Sequence, residues 1–231
     1  MTSRADQLAA GLGAVRARIE AACDRSGRSS DEITLVVVTK TFPASDVRLL
    51  ASLGVHDVGE NRDQEASAKV RECADLDVAW HFVGQLQSNK ARSVARYADV
   101  VHSLDRVRLV DALARGARSA GRTLTALVQV ALDDAPGRGG ARPGEVAAVA
   151  DRVASAPGLV LGGVMAVAPL GVDPRPAFAR LARVSAALRD DHPGATWVSA
   201  GMSEDLEAAL EHGATHVRVG SAILGARPPD G

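Results

Sequence analysis

A (β/α)8 barrel is the fold class this sequence predicts, and three observations point to it. Short apolar runs alternate with amphipathic stretches along almost the whole chain, and the alternation yields eight strand candidates within 231 residues. No Gly-x-Gly-x-x-Gly turn follows the first strand, where an open dinucleotide-binding sheet would carry it, so a doubly wound sheet is the second choice. A single domain over residues 1–231 is expected, near the size of about 250 residues typical of such barrels.

The elements follow in order. Leu8, Leu12, Val15, Ile19 and Ala22 recur at intervals of four and three, so residues 4–25 read as an extra amphipathic helix ahead of the barrel, ending before Ser26-Gly27. The run Ile33-Thr34-Leu35-Val36-Val37-Val38-Thr39 lacks polar alternation and reads as a strand over 33–40, buried on both faces. Further strands are expected at 55–59, 78–84, 99–103, 124–131, 159–165, 195–199 and 215–219. Helices are expected between them at 44–53, 62–73, 88–97, 105–119, 143–155, 174–190 and 203–211. Asp133 to Pro143, rich in glycine and containing Pro136, reads as a loop after the fifth strand, on the active face of a barrel.

Composition narrows the function classes. A net charge of -1 with interspersed signs, and neither a basic stripe nor an aromatic platform, argues against nucleic acid as a partner. No apolar stretch approaches the roughly 20 residues that span a bilayer, and the polar start Met1-Thr2-Ser3-Arg4-Ala5-Asp6 has no signal-peptide core, so a cytoplasmic protein is expected. Cys23 and Cys73 form no Cys-x-x-Cys pair and read as plain helical residues. The six histidines show no metal-ligand spacing; no metal is expected, and His81 reads as structural.

Candidate chemistry gathers at strand ends. Lys40 is one of only three lysines among 27 basic residues and closes the first strand, where burial would favour the nucleophilic free amine of a Schiff-base lysine. The plain alternative is a lysine that snorkels to solvent. At the other end of the chain, Val217-Arg218-Val219 runs into Gly220-Ser221, and the preceding strand runs into Gly201-Met202-Ser203. These glycines, amides and hydroxyls form two adjacent cradles for a phosphate after strands seven and eight, with Ser203 as N-cap of the helix 203–211. Ordinary capping is the alternative, and Glu204 and Asp205 would repel an anion unless turned away. Arg218, flanked by valines, needs a partner, either a carboxylate or a ligand acceptor.

Five blocks, Val38-Thr39-Lys40-Thr41-Phe42-Pro43, Gly59-Glu60-Asn61, His81-Phe82-Val83-Gly84-Gln85-Leu86-Gln87-Ser88-Asn89-Lys90, Gly201-Met202-Ser203 and Val217-Arg218-Val219-Gly220-Ser221-Ala222-Ile223, closely resemble the pyridoxal phosphate homeostasis protein family. The resemblance covers nearly the whole chain. It implies a barrel like the N-terminal domain of alanine racemase, with pyridoxal 5'-phosphate held as a Schiff base on Lys40. It further implies that Ser203, Gly220 and Ser221 hold the phosphate, that Arg218 faces the pyridine nitrogen, and that Asn61 and Met202 line the pocket. Where many relatives have a lysine after the fifth strand, this chain has Arg138. The function implied is a carrier that supplies the cofactor to apoenzymes, without robust catalysis. An amino-acid racemase is the alternative, although the sole tyrosine, Tyr97, falls in the predicted helix 88–97 and suits the second acid/base role poorly; a class I aldolase is a third reading. A monomer is expected, since the barrel would bury its own core.

Overall fold

The computed structural model describes residues 2–133 and 139–226. Arg138 lies outside the described residues. Eight parallel strands close into a barrel in sequence order: β1 (Thr34–Val38), β2 (Asp57–Glu60), β3 (Ala79–Phe82), β4 (Val100–Leu104), β5 (Leu124–Gln129), β6 (Leu159–Met165), β7 (Trp197–Ser199) and β8 (His216–Val219). β8 closes the ring by pairing with β1, from Thr34 opposite His216 to Val37 opposite Val219. Closure excludes the doubly wound sheet.

Helices α2 (Ala44–Ser52), α3 (Asp63–Glu72), α4 (Ala91–Val94), α5 (Val107–Ala120), α6 (Val146–Ala154), α7 (Arg175–Asp191) and α8 (Leu206–Glu211) follow successive strands, and α9 (Ser221–Leu224) follows β8. The additional helix α1 (Arg4–Ser26) packs against α8 and α9. Its start is a capping box, in which Ser3 Oγ accepts from the Asp6 N–H and the Asp6 carboxylate accepts from the Ser3 N–H; Gly27 ends it in the left-handed conformation. Its stripe of Leu8, Leu12, Val15 and Ile19 is buried, a contribution of roughly 1.5–3 kcal/mol per side chain. Arg18 adds a bidentate bond to Glu207 of α8.

Several element ends depart from the predicted ones. The first strand stops at Val38 and Lys40 stands in a turn beyond it. The helix expected over 88–97 shrinks to four residues, because Arg96 and Tyr97 donate to carbonyls three residues back and tighten the chain into turns. The helix expected from 203 begins at Leu206. Cys23 is helical as expected, whereas Cys73 sits one residue past the end of α3; both thiols are buried.

Candidate functional site

A cavity of about 780 Å³ opens at the carboxyl ends of the strands. Its wall includes Lys40, Asn61, Met202, Ser203, Arg218, Gly220 and Ser221, all seven residues singled out in the sequence. The remaining wall comes from Val38, Phe42, Val83, Glu204, Asp205 and Gly225 and from the loop between β6 and α7, where Leu170 and Val172 are exposed. That loop escaped the sequence reading; apolar residues beside Pro169 and Gly171 were the only signal.

Lys40 is half-buried and reaches the cavity from a turn that the Phe42 N–H closes onto the Thr39 carbonyl at 3.1 Å. Thr41 completes the turn with φ 69°, a left-handed conformation that costs a β-branched residue about 1–2 kcal/mol. Three buried or half-buried side chains grip this turn from behind. Lys69 Nζ, one helical face away on α3, donates to Thr39 O at 2.9 Å, Glu60 Oε1 at 2.5 Å and Glu65 Oε1 at 3.1 Å. Thr39 Oγ1 donates to Glu60 Oε1 at 2.6 Å, and the Thr41 N–H donates to Glu65 Oε1. Burial pushes the Glu60 carboxyl above the usual carboxylate range, against the pull of Lys69 and Thr39. These bonds divert the chain at Thr39, which is why Lys40 is not the last residue of the strand.

The two cradles meet. Ser221 Oγ donates to Ser203 Oγ at 3.2 Å, and the Ala222 N–H points at Ser203 Oγ at 3.4 Å. Ser203 is not an N-cap: residues 203–205 form a turn, and its hydroxyl faces Ser221. Of the two carboxylates that threatened an anion here, Asp205 turns its Oδ1 to the Met202 N–H at 2.6 Å, while Glu204 is exposed at the rim. Gly220 allows close approach, since a Cβ there would stand 3.0 Å from the Val38 carbonyl oxygen.

Arg218 is 5% exposed and donates to two neutral acceptors, Ser199 Oγ at 2.7 Å and the Ala166 carbonyl at 2.9 Å. Burial lowers its pKa to about 10, with Asp205 pulling the other way, so it is charged at neutral pH. Behind it a chain of side chains runs through the barrel: Ser199 Oγ to His102 Nδ1 at 2.9 Å, His102 Nε2 to His81 Nδ1 at 2.9 Å, and His81 Nε2 to Asp57 Oδ1 at 2.8 Å. Burial, reinforced by the charges of His81, Arg218 and His216, drives the His102 pKa well below its ordinary value. His81 is thus an inner link, consistent with its structural reading.

Asn61 owes its place to Gly84, where a Cβ would fall 2.1 Å from the Asn61 carbonyl oxygen. Tyr97 lies in the turn after α4, buried and outside the cavity wall, and burial raises its phenol pKa.

Comparison with known proteins agrees with this geometry. Residues 11–228 match the model of the family described as alanine racemase, N-terminal domain. A pyridoxal phosphate homeostasis protein of Mycobacterium tuberculosis is 45% identical over 243 residues, covering 97% of this chain and 94% of that protein. The structure of PipY from Synechococcus elongatus with pyridoxal phosphate bound superposes with a TM-score of 0.82 at 33% identity, covering 94% of this chain and 100% of PipY. An alanine racemase of Clostridium difficile, 15% identical with a TM-score of 0.75 over 97% of this chain and 58% of its own, shares the fold.

Proposed function

Since this chain belongs to the alanine racemase N-terminal domain family and, within it, to the pyridoxal phosphate homeostasis proteins, we propose that its cavity holds pyridoxal 5'-phosphate on Lys40 and that the protein carries the cofactor. The observation that carries this reading is the convergence of an amine, paired hydroxyls and a buried guanidinium on one cavity of about 780 Å³.

The residues present fit the group. Ser203 and Ser221, with the amide of Ala222, offer donors to a phosphate beside a glycine that leaves room for it. When bound, the cofactor supplies an aldehyde, whose carbon a neutral amine attacks with loss of water to leave a C=N bond. Lys40 supplies that amine from its turn. Arg218 has donors and no acceptor, so it favours an unprotonated pyridine nitrogen and weakens the ring as an electron sink. Asn61 and Met202 complete the wall.

A carrier is favoured over a racemase because two-sided proton transfer needs an acid/base group on each face of the ring. Among the described residues of the wall there is neither tyrosine nor histidine, and Tyr97 faces elsewhere. The protein acts in the cytoplasm as a monomer supplying apoenzymes; among the described residues no helix is long and apolar enough to cross a membrane.

Borohydride reduction of the cofactor-loaded protein, followed by peptide mass mapping, tests the reading. The pyridoxyl phosphate adduct is expected on Lys40 and absent from Lys40→Ala; an adduct on another residue, or none, overturns it. Ser203→Ala with Ser221→Ala is expected to weaken retention by about tenfold or more, at roughly 1 kcal/mol per lost hydrogen bond. A chiral assay showing robust amino-acid turnover that Lys40→Ala abolishes would restore the racemase.

A further inference from the structure

The turn that presents Lys40 is strained, and the side chains that hold it do not line the cavity. Thr41 is a non-glycine residue with a left-handed φ, 69°, and such a conformation in a β-branched residue persists only where its surroundings over-determine it. Those surroundings are one buried ammonium and two carboxylates. All three donors of Lys69 Nζ are used, on the Thr39 carbonyl at 2.9 Å, Glu60 Oε1 at 2.5 Å and Glu65 Oε1 at 3.1 Å. Glu60 also takes the Thr39 hydroxyl, and Glu65 takes the Thr41 N–H, so the residues on both sides of Lys40 are tied to one cluster. Thr39, Glu60, Glu65 and Lys69 are all absent from the cavity wall, and only Lys40 and Phe42 of the turn reach it.

A buried lysine–glutamate pair is a costly way to fill a core, because hydrophobic residues of similar volume serve stability as well or better. Here the cluster instead grips backbone at the two residues flanking Lys40. We propose that Lys69, acting with Glu60 and Glu65, is a positioning device that holds the Lys40 turn in its strained form and thereby sets where the Lys40 amine stands in the cavity. The proposal rests on the reading of Lys40 as the attachment point. None of the three residues touches the ligand; they act through Thr39 and Thr41.

The experiment uses Glu65, which is half-buried, so that its removal leaves Lys69 paired with Glu60. Pyridoxal 5'-phosphate is mixed with the cofactor-free protein and attachment is followed by absorbance in stopped flow, for wild type, Glu65→Ala, Glu65→Gln, Thr41→Gly and the double variant Glu65→Ala with Thr41→Gly. Misplacement of a reacting group by about an ångström costs up to about a hundredfold, so Glu65→Ala is expected to slow attachment about tenfold. Glu65→Gln keeps an acceptor for the Thr41 N–H and stays within about twofold of wild type. Glycine adopts the left-handed φ without strain, so Thr41→Gly restores the Glu65→Ala rate to within about threefold of wild type. Wild-type speed in Glu65→Ala, or a defect that Thr41→Gly leaves untouched, overturns the proposal.

A second readout needs no cofactor. The Phe42 amide, bonded to the Thr39 carbonyl, is expected to exchange with solvent about tenfold faster in Glu65→Ala than in wild type, and unchanged exchange also overturns the proposal. Failure of wild type to attach the cofactor, with the exchange difference present, would instead overturn the assignment of Lys40.

Discussion

On one side of the cavity the ammonium of Lys69 touches two carboxylates, whereas on the other the guanidinium of Arg218 is separated from the carboxylate of Asp57 by a hydroxyl and two imidazoles. The first network is compact and ionic, and it grips backbone at Thr39 and Thr41. The second spans the barrel and grips a side chain. Its direction is set at both ends, since a guanidinium only donates and a carboxylate only accepts. Ser199 therefore passes its hydrogen to His102 Nδ1, His102 donates from Nε2 to His81, and His81 donates from Nε2 to Asp57. Contact between charges fixes the place of a loop; a one-way relay fixes the orientation of a charge through hydrogen bonds alone.

The largest effect should come from breaking the ionic side. Lys69→Met leaves Glu60, which is 1% exposed, without its counter-charge, and removing one partner of such a pair costs about 3–5 kcal/mol. Adding Glu60→Gln should recover much of that loss, because the stranded charge is then gone. Urea unfolding followed by circular dichroism measures both. A loss below about 1 kcal/mol in the single variant would mean that Glu60 takes up a proton when its partner leaves, and the contrast between charges in contact and charges held apart would fail.

Acid should separate the two sides by sign. His216, tilted by 32° against Trp197 with ring centroids 4.3 Å apart and bonded to Thr215 Oγ1, faces His81, Asp57 and Arg218; burial, with the two basic neighbours, lowers its pKa from 6.5 to about 4, against the pull of Asp57. His102, buried and facing His81, Arg218 and His216, is lowered well below its ordinary value too. Between about pH 6.5 and 4 the unfolded chain binds protons that these folded rings refuse, so stability falls as pH falls, by about 3 kcal/mol for His216 alone. Glu60 works in reverse: its folded pKa is raised, so the native state binds its proton first and acidification adds stability. Unfolding midpoints measured across this range should drop in wild type and drop less in His216→Phe, which retains an aromatic ring against Trp197. A wild-type profile that stays flat would show that the rings charge without cost.

The relay and the cluster also differ in how they were hidden. Strand-end residues were legible because a barrel places its chemistry at the carboxyl ends of strands, and Lys40, Asn61, Ser203 and Ser221 each stand at or just past the end of an expected strand. Lys69 was not, because Glu65 and Lys69 stand four apart on a polar helix, a spacing that ordinary surface ion pairs share. Only Glu60, brought alongside from the end of β2, turns that lysine inward, and the same capture of Thr39 moved the end of the first strand. The start of α8 shifted for a similar reason, when Asp205 took the Met202 N–H. For the histidines, separations of 21 residues from His81 to His102 and 97 from His102 to Ser199 carry no periodic signal. They meet because strands β3, β4 and β7 bring side chains to shared levels inside a closed barrel, which is knowable only once the register is set.

The smallest effect tests whether the relay needs the charge of Asp57 or only its oxygen. Asp57 opens β2 and its side chain is 29% exposed, so solvent screens the carboxylate and limits what its charge contributes to the bond with His81. Asp57→Asn keeps an acceptor oxygen for His81 Nε2 at the same position, and the expected loss of stability is below about 1 kcal/mol. Asp57→Leu removes the acceptor and should cost about 1–3 kcal/mol, as an inner donor loses its partner. Nitrogen-15 shifts of the imidazoles report the tautomers directly: His102 and His81 should each carry hydrogen on Nε2 in wild type and in Asp57→Asn. If the amide variant costs as much as the leucine variant, or switches either ring to the Nδ1–H form, the relay depends on a fixed negative charge and is a stretched ion pair, built on the same plan as the cluster beneath Lys40.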